Sequence, residues 1–164
     1  MREATVRLIA IVGLTSMFAA NLNGRDLSPA AGDDLVIGQW RLDVSKSKYS
    51  PGPGPKSETR TYRSTEDGIR AVIIRTHQDG QVQTIEYEAN YDSVNHVVAT
   101  PDYDALQLKR INAFVSEATL SHAGKQFGTA RREISRDGMT MFITFQQGAQ
   151  TRIHNVAYYM KVAP

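Results

Sequence analysis

A chain of 164 residues with 41% hydrophobic and 22% charged side chains has the make-up of one ordinary globular domain, which excludes disorder of the whole. Its formal charge of +2 comes without any long block of like charges, so a nucleic-acid partner is not expected. Cysteine is absent, which removes both a disulfide framework and a lipid-modified cysteine and leaves stability to the core alone.

Residues 1–20 differ in character from the rest. Arg2 and Arg7 make a basic start, and 8–20 (LIAIVGLTSMFAA) is an apolar run shorter than the about 20 residues a membrane-spanning helix needs. This reads as an export signal, so the expected location is secreted or periplasmic, with no membrane span in the mature chain. An uncleaved anchor is the alternative, because Phe18 stands where a cut after Ala20 would want a small residue. Residues 21–34 then form a polar linker, and 35–163 the folded domain.

The domain opens on 35–44 (LVIGQWRLDV), which holds the single tryptophan. At period two, Val36, Gly38, Trp40, Leu42 and Val44 share one face, as in a half-buried strand. The segment after it carries Pro51, Pro53 and Pro55 among glycines and predicts an extended loop or lid after at most one turn of helix. Further strands are predicted over 59–64, 69–77, 81–91, 96–100, 105–111, 114–121, 127–135, 139–146 and 151–162. In 81–91 the residues Ile85, Tyr87, Ala89 and Tyr91 alternate with Thr84, Glu86, Glu88 and Asn90, the pattern of a sheet wet on one side. Met139, Met141, Ile143 and Phe145 share a face in 139–146. Asp-Gly pairs at 67–68, 79–80 and 137–138 predict type I′ hairpin turns, in which both central residues take positive φ.

No stretch from Leu35 onward keeps a period near 3.6, so the fold class is all-β. Consecutive hairpins predict an up-and-down antiparallel meander of about 8–10 strands, which loses its edges by closing into a barrel. A sandwich is the alternative.

The Gly38-x-Trp40 pair on the first strand of an exported meander resembles the opening of the calycin barrels, the lipocalins and fatty-acid-binding proteins. The resemblance implies that Trp40 plugs one barrel end with a basic side chain of the final strand, Lys161 or Arg152, against its ring. GQWRLDVSKSKYSPGPGP, with LKRI at 108–111 and SRDGMTM at 135–141, is also similar to a group of bacterial exported proteins that bring no established activity. The chain departs from the fatty-acid-binding proteins at two points. Three prolines stand where they place two helices, and their Arg-x-Tyr clamp is missing, since Arg152 is followed at two by His154. The lipocalin T-D-Y element is matched in part by Pro101-Asp102-Tyr103.

Candidate chemistry is sparse. His77, His96, His122 and His154 are dispersed without metal-ligand spacing; His154 on the last strand is the one candidate axial ligand for a haem-binding barrel. Glu86 and Glu88 share a face expected to meet water. Asp102 and Asp104 read as turn formers. There is no nucleophile elbow, P-loop or dinucleotide fingerprint, so no catalytic residue, metal or cofactor is assigned and the balance leans against an enzyme. Tyr87, Tyr91, Phe114, Met141, Phe145 and Tyr159 are the candidate lining of an interior cavity. The resulting expectation is an exported lipocalin-like barrel binding a small apolar or amphipathic molecule. A filled, envelope-associated structural domain and a haem-binding barrel are the alternatives.

Overall fold

The computed structural model describes residues 34–66, 68–148 and 155–163. The expected export signal, nearly all of the expected linker, Arg152 and His154 lie outside the described residues. Those described form eleven strands: β1 Gly38–Leu42, β2 Lys48–Tyr49, β3 Ser57–Ser64, β4 Gly68–Thr76, β5 Val82–Asn90, β6 His96–Val97, β7 Ala105–Asn112, β8 Val115–His122, β9 Lys125–Ile134, β10 Thr140–Gln147 and β11 Asn155–Lys161. One 3-10 turn, Val44–Lys46, follows β1 and is capped by the Asp43 carboxylate, which accepts from the Ser45 and Lys46 amides. No helix among the described residues is long and apolar enough to cross a membrane.

All pairings are antiparallel. The ladder runs β5-β4-β3-β1-β11-β10-β9-β8-β7-β6, with β2 set against β11. The first strand, β1, therefore lies between β3 and the last strand, in register Trp40 opposite Lys161 and Leu42 opposite Tyr159. At the far edges, β5 and the residues just after it meet β6 and β7 through a few links: the Asn90 amide donates to His96 Nε2 at 3.3 Å, Asp92 forms an isolated bridge with Lys109, and the Ser93 amide donates to the Leu108 carbonyl at 2.9 Å. The product is a nearly closed meander barrel, not a sandwich.

Local chemistry accounts for where the elements depart from expectation. β1 is shorter than 35–44 because Asp34–Ile37 forms a turn: the Ile37 amide donates to the Asp34 carbonyl at 2.9 Å, and the Val36 amide to Asp34 Oδ1 at 3.1 Å. The strand expected over 96–100 ends at Val97, because Thr100 turns back and its hydroxyl donates to the Tyr103 carbonyl at 2.6 Å. At 77–80 and 135–138 only Gly80 and Gly138 take positive φ, each closing a turn in which its amide reaches back three residues. These are not the type I′ turns expected of Asp-Gly. The two-residue turn with both φ positive is instead Ala123-Gly124, between β8 and β9. Gly68 starts β4, where a Cβ would run into the Ala89 carbonyl, so close backbone approach is what requires a glycine there.

Inward-facing side chains form one continuous core whose largest fully buried members are Trp40, Tyr62, Tyr159, Ile69, Leu106, Met141, Val36 and Val98. Alternation places Glu86 and Glu88 in water and Ile85 and Ala89 inside.

Candidate functional site

The barrel interior has two polar clusters, one toward each end. The first lies where the turn at Asp34–Ile37 caps the barrel. Trp40 is fully buried, and its indole N–H donates to the Val36 carbonyl at 2.7 Å. Lys161 Nζ stands 5.1 Å from the Trp40 ring centroid and donates to the Leu35 carbonyl at 3.2 Å. Gly38 is required here by its φ of 128°, and a Cβ would also push against Lys161 Cε at 2.8 Å and displace the ammonium from its place over Trp40.

Beside this plug, Asp34 Oδ2 accepts from Arg110 Nη2 at 2.5 Å and from the Tyr91 hydroxyl at 2.7 Å. Arg132 donates to the Tyr91 hydroxyl at 2.8 Å and to Ser116 Oγ at 3.0 Å. Burial works to raise the Asp34 carboxyl, but the bonds from Arg110, Tyr91 and the Val36 amide outweigh it and hold it below its ordinary value. Tyr91 is pushed up to about 12 by burial and by the neighbouring Asp34 charge, against the pull of Arg132.

Toward the other end the interior is hollow. A cavity of about 330 Å³ opens there, at the low end of the about 300–1,000 Å³ typical of ligand sites. Its room comes from small side chains: Ala118 on β8, Ala130 on β9 and Ala157 on β11 all face it. Ile73, Ile85, Leu106, Leu120, Ile143 and the tilted pair Phe127–Phe145, with centroids 5.9 Å apart, make up the apolar wall. Gly128 lets the Phe145 ring lie against β9, since a Cβ would stand 2.7 Å from that ring. Tyr49, Asp102 and Asn155 form the rim. Tyr49, Arg75 and Asn155 also border an outer groove walled by Pro51, Pro53 and Pro55, so the proline-glycine loop flanks the mouth.

One side of the hollow is ionic. Glu58 Oε1 accepts from Arg60 Nε and from the Tyr159 hydroxyl, both at 2.6 Å, and Oε2 accepts from Arg75 Nε at 2.6 Å. The Arg60 guanidinium also lies 5.1 Å from the Tyr159 ring centroid. Burial alone would raise Glu58, but the charges of Arg60 and Arg75 and the Tyr159 bond dominate and hold it at about 2. Every carboxylate oxygen is thus committed to protein donors. The terminal Nη groups of Arg75, by contrast, have no protein partner among the described residues.

Of the candidate lining residues, Tyr87, Phe145 and Tyr159 line the hollow. Tyr91 stands in the Asp34 cluster, Met141 is fully buried in the core, and Phe114 sits in the β7–β8 turn at 37% exposure. Of the described histidines, His77 borders the outer groove, His96 accepts from the Asn90 amide, and His122 is exposed. No group of three metal-ligating side chains converges among the described residues. Sequence reasoning missed Glu58, Arg60, Arg75, Arg110 and Arg132, although a signal existed for the last three. Arg75 continues the inward series Ile69, Ala71, Ile73; Arg110 continues Leu106, Leu108; and Arg132 stands between Ala130 and Ile134.

The chain matches no protein-family model and no curated protein. Strand order and register by themselves make it an all-β, nearly closed antiparallel barrel compatible with a calycin-like fold.

Proposed function

We propose that the protein is an exported, lipocalin-like barrel that binds a small amphipathic molecule. The observation carrying this reading is the hollow of about 330 Å³, walled by aliphatic and aromatic side chains on most sides and by the Glu58–Arg60–Arg75 cluster on one. A barrel serving only as a scaffold gains stability by filling such a space, because empty volume forfeits dispersion contacts. Native mass spectrometry of protein purified from the exported fraction of its host tests the reading. A retained mass that disappears in an Ala130→Leu variant supports it; identical apo spectra for both, together with no uptake of any amphiphile by the wild type, sink it.

A second reading, an envelope-associated domain acting by protein contact, is favoured by one observation. Phe142 and Met160 are exposed on the outer side of β10–β11, with Met139 and Val162 exposed just beyond the ends of these strands and Phe142 packed edge-on against Tyr158 at 4.8 Å. Co-fractionation with envelope proteins that is lost in a Phe142→Asp variant would mark this activity; unchanged fractionation would remove it.

A further inference from the structure

A guanidinium carries five N–H donors in a rigid fork, and a carboxylate matches two of them at once. Arg75 gives Nε to Glu58 and leaves the two-nitrogen end of its fork without a protein partner among the described residues. Its side chain is 27% exposed and borders both the hollow and the outer groove, so the open end of the fork lies on the path between water and the apolar wall. Glu58 meets Arg75 through Nε alone among the described residues, and its two oxygens are otherwise shared with Arg60 and Tyr159.

The charges on this side of the interior do not cancel. Glu58 faces both Arg60 and Arg75, which leaves a surplus of positive charge in a wall largely shielded from solvent. Behind it, buried Arg132 bonds to the hydroxyls of Tyr91 and Ser116 and lies 5.1 Å from the Tyr62 ring centroid, with no carboxylate in bonding contact among the described residues, and adds to the same sign. Asp102 stands at the rim but is exposed, where water screens it. A neutral ligand would leave this surplus uncompensated, and a cationic one would meet like charge.

We propose that the hollow takes an amphipathic monocarboxylate, with its apolar body against Ala118, Ala130 and Ile143 and its carboxylate on the free end of the Arg75 fork. The inference rests on the reading that the hollow binds a small molecule and adds the chemistry of the head group. A single carboxylate fits better than a bulkier multiply charged head, because one planar anion matches both the planar fork and the single excess charge of the Glu58 cluster.

The test uses the protein purified from its exporting host, the neutral fluorophore N-phenyl-1-naphthylamine as a reporter, and three competitors of equal chain length: octanoate, 1-octanol and octylammonium. Octanoate is expected to displace the reporter at about tenfold lower concentration than 1-octanol, with octylammonium weakest and the octanoate advantage shrinking as salt is raised. In Arg75→Gln the ratio of octanoate to octanol affinity is expected to fall to about one, and Arg75→Lys should recover part of it. Octanol matching octanoate on the wild type overturns the carboxylate assignment while leaving small-molecule binding intact. An unchanged ratio in Arg75→Gln overturns the role of Arg75. If the reporter and all three octyl compounds fail to bind, or bind Ala130→Leu equally well, the small-molecule reading falls and the head-group inference with it. Should Arg75→Gln not fold, the wild-type ranking of the three head groups decides.

Discussion

At the capped end of the barrel, Asp34 holds Arg110 and Tyr91 among Trp40, Tyr62, Val36 and Met141, side chains large enough to leave almost no space. At the mouth, Glu58 holds Arg60, Arg75 and Tyr159 beside three alanines and a hollow. Both ends satisfy a buried carboxylate with arginine and tyrosine donors, so charge burial does not distinguish them. Packing does. β9 contributes Arg132 and Ile134 to the filled end and Ala130 to the empty one, which shows that side-chain size along a strand sets the cavity while the barrel frame stays the same.

The largest expected effect comes from emptying the filled end. Trp40→Ala should cost about 3–5 kcal/mol, read as a fall in the urea midpoint or as loss of the folded state. Glu58→Gln strikes the ionic wall of the open end and leaves Arg60 and Arg75 facing a neutral partner, a loss of about 3 kcal/mol by chemical denaturation at neutral pH. The sign of its pH dependence follows from the depressed carboxyl. Glu58 sits at about 2 in the folded barrel against an ordinary 4.5, so its contribution is full above about 4.5 and is lost as pH falls toward 2. The stability gap between wild type and Glu58→Gln should therefore close across that window; a gap that stays constant would mean that it does not come from the Glu58 charge.

A matched pair sharpens the contrast further. Ala71 is fully buried toward the filled end, and Ala71→Leu should overpack it at a cost of about 1–3 kcal/mol. Ala130→Leu, facing the hollow, should cost less than about 0.5 kcal/mol, and equal thermal shifts for the two would argue that the hollow is not open space. At the filled end a modest effect is expected for Lys161→Met, which removes the cation over Trp40 and the bond to the Leu35 carbonyl for about 1 kcal/mol, seen as a small drop in the thermal midpoint with Trp40 still buried.

Much of this fold was legible from alternation. Ile85 and Ala89 are buried, with Glu86 and Glu88 outside, because an apolar-polar rhythm has one solution when one face is wet. Met139 broke the rhythm: it shares parity with Met141 but is 47% exposed, because Gly138 at φ 69° turns the chain before β10 begins. The ionic half of the site was hidden for a related reason. β3 reads SETRTYRS, where both faces are polar, so period two cannot tell the inward Glu58, Arg60 and Tyr62 from the outward Thr59, Thr61 and Arg63. Only the lateral neighbours decide it, Arg75 directly opposite Glu58 on β4 and Tyr159 two strands away on β11, and they lie 17 and 101 residues away from Glu58. The hollow was beyond pattern reading altogether, since an alanine marks an inward position without saying whether a neighbour fills the space in front of it.

The ladder between β1 and β11 has an implication for how the molecule comes to exist. Trp40 pairs with Arg60 on one side and Lys161 on the other, so the first strand stays single-sided until the final one is made. Joining such distant segments carries a heavy loop-closure entropy and belongs to the slow, non-local class of folding events, on the order of milliseconds to seconds. Synthesis order thus becomes a checkpoint: a chain truncated ahead of its last ribbon keeps the pairings up to β9–β10 but has no completed plug, and the barrel remains unsealed until β11 has arrived.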